Sequence, residues 1–141
     1  MAIVHFYEKP GCFNNTRQKQ LLLQAGHLLV VHDLLQSPWA ENRARLRSFF
    51  GDMPVAEWFN RSAPAIKNGK IDPDLLNERQ AIDLMVSDPI LIRRPLMEVD
   101  GRRRAGFDAE TIDAWLGLSA DTAAGDLETC PKQHRQQACA P

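Results

Sequence analysis

Hydrophobic and polar positions along this chain switch between two periods, and the switches mark its elements. Residues 2–7 (AIVHFY) form a short apolar run that predicts a buried strand, broken by Glu8-Lys9-Pro10-Gly11. A helix is predicted to open at Asn14 or Asn15, because asparagine is a good N-cap and Gln18 follows Asn15 at capping-box spacing. Leu21, Leu22 and Ala25 fall at helical intervals, and Gly26 suits the residue after the helix. Residues 28–31 read as a second buried strand ending at His32-Asp33. A strand–helix–strand opening implies a right-handed crossover with the two strands parallel.

Beyond it, Ser37-Pro38 predicts a helix that uses Trp39, Leu46, Phe49 and Phe50 and stops at Gly51. Residues 53–59 read as a short helical piece and 60–69, with Pro64 and Gly69, as irregular. Residues 73–86 read as a helix capped by Asp72 and ended by Ser87-Asp88-Pro89. Residues 90–92 predict a third strand, stopped by Arg93-Arg94-Pro95, and 96–99 a fourth. Asp100-Gly101 is a hairpin signal, with 102–107 returning antiparallel. Asp108 then caps a last helix over 109–116, which docks through Ile112, Trp115 and Leu116. This order predicts an α/β, thioredoxin-like mixed sheet: β-α-β, a helical insertion, a β-hairpin and a C-terminal helix. Residues 1–118 form one domain in this reading. Residues 119–141, rich in Ala, Asp, Thr, Gln and Pro, predict a disordered tail.

Composition narrows the function classes. The 141 residues are 44% hydrophobic and 25% charged with a net charge of -1, so no global field favours nucleic acid or an anionic membrane. Locally, Arg102, Arg103 and Arg104 alternate faces on a strand, while Arg43, Arg45 and Arg47 spread around a helix. Neither run makes a nucleic-acid patch. No apolar stretch reaches the roughly 18 residues of a membrane span. MAIVHFYEKPG lacks a signal-peptide pattern, so a cytoplasmic protein with reduced thiols is expected. Cys12, Cys130 and Cys139 have no zinc spacing, and no metal is expected; His134 between the tail cysteines allows only a loose ligand set. The tail thiols read as incidental, or as resolving groups if the tail folds back onto Cys12.

Cys12 lies in the turn between the first strand and the first helix, where free amides and the helix dipole stabilise a thiolate. Lys9 and Arg17 add positive charge close by. The alternative is an inert small residue in a turn. Because the motif is Cys12-Phe13-Asn14-Asn15, the second cysteine of a dithiol site is missing, and a redox cycle needs an external thiol or a distant cysteine. Arg93-Arg94-Pro95 between two strands suggests a cis peptide in a tight connection. In a thioredoxin layout that turn faces the cysteine loop, where an arginine can hold an oxyanion beside the thiolate; otherwise the pair is a solvated strand end. Trp39, Trp58 and Trp115 read as packing residues. His5, His27 and His32 form no Ser/His/Asp arrangement, and the last two read as structural.

Tyr7-Glu8-Lys9-Pro10-Gly11-Cys12 before a helix, with Asp88-Pro89-Ile90-Leu91-Ile92-Arg93-Arg94-Pro95-Leu96, resembles the glutaredoxin-dependent arsenate reductase family, which includes the regulator Spx. The resemblance spans about residues 2–118. Asn14-Asn15-Thr16-Arg17-Gln18-Lys19, Phe49-Phe50-Gly51, Trp58-Phe59-Asn60 and Met97-Glu98-Val99 are similar to its nitrogenase-associated branch. The resemblance implies Cys12 as nucleophile, Arg94 as the anion-holding arginine before a cis proline, and Asn15, Arg17, Arg61 and Pro95 as substrate-binding positions. It also implies glutathione or glutaredoxin as reductant, no bound cofactor, and a nitrogenase-related partner. Departures are specific: Asn15-Thr16-Arg17 replaces Ser-Arg, Asn60 stands at the insertion arginine with Arg61 adjacent, and Gly106 stands at the last one, with Arg104 nearest. A monothiol oxidoreductase and a non-enzymatic binding protein of nitrogenase or its metal-cofactor supply are the two expectations. A Spx-like regulator lacks its CxxC switch here.

Overall fold

The computed structural model describes residues 2–117; the predicted tail, with Cys130, His134 and Cys139, lies outside them. Four strands, β1 (Ile3–Glu8), β2 (Leu28–Asp33), β3 (Leu96–Val99) and β4 (Arg102–Ala105), form one mixed sheet in the order β2-β1-β3-β4. β1 and β2 run parallel, and β3 is antiparallel to β1 and to β4. Helix α1 (Phe13–Gln24) makes the crossover and α5 (Ala109–Leu116) closes the chain. Between β2 and β3 lie α2 (Arg43–Ser48), α3 (Pro64–Lys67) and α4 (Glu78–Ser87), linked by short 3-10 turns. This is the α/β thioredoxin-like layout with a helical insertion.

Strand alternation sends Val4 and Phe6 to one face, where they pack with Leu22, Met97, Phe107 and Ile112. Tyr7 and Leu96 join a second core, made with Trp39, Leu46, Phe49, Phe50, Trp58 and Met85 of the insertion. Two of the insertion tryptophans also close its turns: Trp39 Nε1 donates to the Leu34 carbonyl at 2.9 Å and Trp58 Nε1 to that of Met53 at 2.7 Å. His27 is structural, as expected. Its Nδ1 accepts from the Ala2 N–H (3.0 Å), and its Nε2 donates to the Gly117 carbonyl (2.8 Å), joining the two ends of the described chain.

Several local expectations are corrected. Residues 90–92 are not a strand: Pro89 to Leu91 form a 3-10 turn, and Ile92 makes only an isolated bridge to Phe59. Three apolar residues in a row fit a turn buried by the insertion as well as a strand. β2 is not buried but an edge, with Leu28, Val30 and Val31 exposed. The helix expected after Pro38 is a 3-10 turn at Trp39 to Glu41 followed by α2, and the one over 73–86 begins only at Glu78. There Asn77 and Gln80 build a capping box, while Asp72 caps the preceding 3-10 turn. Asp108 caps α5 as expected, accepting from the Thr111 N–H.

The arginine runs disperse. Arg43 pairs with Asp83, Arg45 reaches Glu98 and the Tyr7 hydroxyl, and Arg47 pairs with Glu78. On β4, Arg103 bonds Glu98 and Ser48 on the insertion face, whereas Arg104 lies over the Trp115 ring.

Candidate functional site

The site is assembled at the carboxyl end of β1. Lys9, Pro10 and Gly11 turn the chain, with Gly11 at φ +81°, a conformation glycine adopts without Cβ strain. The Cys12 N–H donates to the Lys9 carbonyl at 3.1 Å. Cys12 itself, not Asn14 or Asn15, is the N-cap of α1, with extended backbone (φ -75°, ψ 122°) and no capping bond from its side chain. Both asparagines are inside the helix and buried. Asn15 Oδ1 accepts the Lys9 N–H (3.0 Å) and its Nδ2 donates to Gln18 Oε1 (2.9 Å), which ties the turn to the helix. Glu8 pairs with Lys19 beneath the same turn. A thiol at the N-cap sits where the helix presents its unpaired amides and the positive end of its dipole. The Cys12 residue is only 3% exposed.

The register of β1 with β3, Tyr7 opposite Leu96, carries Pro95 and Arg94 just past the carboxyl end of β1, the end at which Cys12 opens α1. The Arg94–Pro95 peptide is cis, and the Pro95 carbonyl accepts the Gly106 N–H at 2.8 Å. Arg94 is 8% exposed, and among the described residues no hydrogen bond or ion pair engages its guanidinium. A buried guanidinium left in this way is a ready partner for an anion. Its neighbour differs: the Arg93 N–H donates to the Trp58 carbonyl (2.9 Å) and its side chain to that of Glu57 (3.2 Å), so Arg93 fastens the insertion.

Cys12, Arg94 and Pro95 therefore share one end of the sheet, and Asn15 organises the turn that presents the thiol. Arg17 is exposed one turn into α1. Arg61 is exposed too, with its guanidinium donating to the Ala56 carbonyl at 2.9 Å. Asn60 is held by Ile90 and Ser62, and Gly106 is buried.

A polar network on the insertion face escaped the sequence reading. His5 Nδ1 and His32 Nε2 share a hydrogen bond at 3.0 Å, and the Tyr7 ring stacks on His32 with centroids 4.5 Å apart. Arg45 bonds both the Tyr7 hydroxyl (3.0 Å) and Glu98 (2.6 Å). The signal was available: in parallel register His5, Tyr7 and His32 share one face. Burial first, then His5 and Arg45, lower the His32 pKa below 6.5, with Glu98 opposing. The unfolded chain therefore binds more protons just below that value, and this residue's contribution to stability is lost as pH falls from 6.5 through its lower folded pKa. His32→Gln is expected to flatten the stability slope in that window, as read by urea midpoints between about pH 7 and 5; an unchanged slope would assign it elsewhere.

Among the described residues no group of three or more His, Cys, Asp or Glu side chains is placed to hold a metal, and no helix is long and apolar enough to cross a membrane.

Comparison with known proteins agrees with this geometry. A protein of Rhodospirillum rubrum, described as an uncharacterised 15.7 kDa protein in the draG 3′ region, is 51% identical over 140 residues, covering 99% of this chain and 96% of that one. The global transcriptional regulator Spx of Streptococcus pyogenes serotype M1 is 22% identical over 81% of this chain and 85% of its own. An arsenate reductase from Vibrio cholerae superposes with a TM-score of 0.61 at 25% identity, over 74% of this chain and 90% of that one. An ArsC family related protein from Bacteroides fragilis gives 0.65 at 22% identity, over 79% and 97%, and shares the fold. The ArsC family profile matches residues 7–115, from the last residues of β1 into α5, and this chain belongs to the ArsC family.

Proposed function

We propose that this protein is a cytoplasmic monothiol oxidoreductase linked to nitrogen fixation, with Cys12 as nucleophile and Arg94 as the group that holds a substrate anion. The observation that carries the reading is a thiol at a helix N-cap with a buried, unengaged guanidinium at the same end of the sheet. Arg17 and Arg61, the latter after leaving the Ala56 carbonyl, complete the anion's surroundings; Pro95 shapes the wall and Asn15 positions the turn. The Cys12 thiolate attacks a disulfide, expels one thiolate and forms a mixed disulfide. Glutathione attacks the substrate sulfur of that bond, frees the Cys12 thiolate and leaves a mixed disulfide of glutathione and the remaining substrate half for glutaredoxin to reduce. With arsenate a sulfur–arsenic bond forms as water leaves, and two external thiols supply the two electrons. The link to nitrogen fixation rests on the motif similarity and on a relative named for its place beside draG.

A second reading is a binding protein of nitrogenase or of its metal-cofactor supply. It is favoured by the 3% exposure of Cys12, by Asn60 and Gly106 standing where reductases carry arginines, and by the engagement of Arg61 with a backbone carbonyl. The two separate by mass spectrometry after exposure to glutathione disulfide and by turnover with glutathione and glutaredoxin. Oxidoreductase chemistry requires a glutathione adduct on Cys12. Arg94→Ala is then expected to lower kcat/KM for arsenate by about 100-fold, with a smaller effect on an uncharged disulfide. Full retention of Cys12 as thiol after hours of exposure favours the binding protein.

A further inference from the structure

The two edges of the sheet are built differently. β4 carries Arg102, Arg103 and Arg104, charges of the kind that keep an edge from pairing with another chain. β2 reads LLVVHD, with no lysine, arginine, proline or bulge. Ile3, Leu23, Leu28, Val30 and Val31 cluster along it, each between 41% and 54% exposed. Lys19, which borders the cluster, is paired with Glu8, and the one carboxylate of the strand, Asp33, lies at its last position with Oδ1 accepting the Leu35 N–H.

Backbone direction shows what this edge accepts. The N–H groups of Leu28 and Leu34 donate to the Ala2 and Glu8 carbonyls of the β1 side, so the even-numbered residues of β2 bond inward. Leu29, Val31 and Asp33 consequently point their N–H and C=O groups outward. A twofold axis perpendicular to the sheet keeps each side chain on its own face and therefore pairs residues of equal parity. Centred on Val30, it sets Val30 against its own copy, Leu28 against His32, and Leu29 against Val31. The outward amides then fall at the Leu29–Val31 pairs, where antiparallel strands exchange bonds. In that register Asp33 lies opposite His27, and no like charges meet.

We propose that β2 is a self-association edge: two copies of this chain pair β2 antiparallel about Val30 and form a continuous eight-stranded sheet. The occupant is a second copy because an antiparallel copy of this strand meets its outward amides and apolar side chains with no like charges opposed. Axes through Leu29 or Val31 keep the same parity but need the His27 N–H, which bonds Leu22, or the Asp33 carbonyl, which bonds Gln36 and Ser37. Five half-exposed apolar side chains per copy make an interface at the small end of the usual range, around 1,200 Å² in total, so a reversible, concentration-dependent dimer is expected.

The test is register-specific. In the full chain with Cys12, Cys130 and Cys139 changed to Ser, Val30→Cys puts two thiols in a non-hydrogen-bonded pair with Cα atoms about 4.5 Å apart, within disulfide range. Leu28→Cys puts them four residues out of register, about 13 Å apart along the strands. Diamide, which takes up the two electrons and two protons, is expected to convert Val30→Cys to a covalent dimer at least tenfold faster than Leu28→Cys. Sedimentation of the wild-type chain is expected to show concentration-dependent dimer, abolished by Val30→Lys. Equal cross-linking of the two cysteine variants overturns the register. A wild-type chain that stays monomeric at several hundred micromolar overturns the proposal. If Val30→Lys also lowers the melting temperature of that monomer, the edge is covered within the chain instead.

Discussion

Cys12→Ser is expected to lower reductase turnover by about 1,000-fold or more, with no loss of stability. The two readouts separate because Cys12 has two roles. In the proposed reaction it supplies the sulfur that forms the mixed disulfide, and a serine hydroxyl without an adjacent base does not replace it. Structurally it is the N-cap of α1 but makes no capping bond with its side chain. Serine is among the preferred N-caps, and its hydroxyl can accept from an amide of the first turn, which stabilises a helix by about 0.5–2 kcal/mol. The variant should therefore melt at or above the wild-type temperature while its turnover collapses. Turnover that survives the substitution would remove Cys12 from the mechanism. Joint loss of fold and activity would show that the sulfur is mainly a packing atom.

Trp58→Ala should have the largest effect on stability, about 3–5 kcal/mol by urea unfolding. Trp58 is fully buried in the insertion core. It stacks on Phe50 at 4.7 Å, lies under the Arg47 guanidinium, and donates to the Met53 carbonyl. Truncation empties a large volume and removes the donor to the part-buried Met53 carbonyl in one step. The Trp58 carbonyl also accepts the Arg93 N–H, one residue before Arg94. Loosening the insertion is therefore expected to displace Arg94, the arginine proposed to hold the anion, and residual folded protein should show weakened oxyanion binding. Trp58→Phe keeps most of the packing and should lose roughly half as much stability or less. Equal losses for the two variants would place the effect in the Met53 hydrogen bond rather than in the ring.

The chain's sequence was enough to determine its fold class and to place Cys12 in the turn that opens the first helix. A Cys after a Pro-Gly turn, between an apolar strand and a helix, and an Arg-Pro before a hairpin strand are local patterns with local causes. Asp108 as a cap and Asp100-Gly101 as a hairpin turn belong with them, since a cap or turn is decided by a few neighbouring dihedrals and one or two bonds. Tertiary structure alone decided the rest. An apolar run looks the same whether it is buried on both faces or lies at an edge, so β2 read as interior and 90–92 read as a strand. Asn15 looked like a cap until its carbonyl oxygen was seen to take the Lys9 amide across the turn. His5, Tyr7, His32, Arg45 and Glu98 come from three strands and a helix, and they meet only once sheet register has set which side chains share a face. Contacts between residues distant in sequence are fixed by packing and register, which no local pattern encodes.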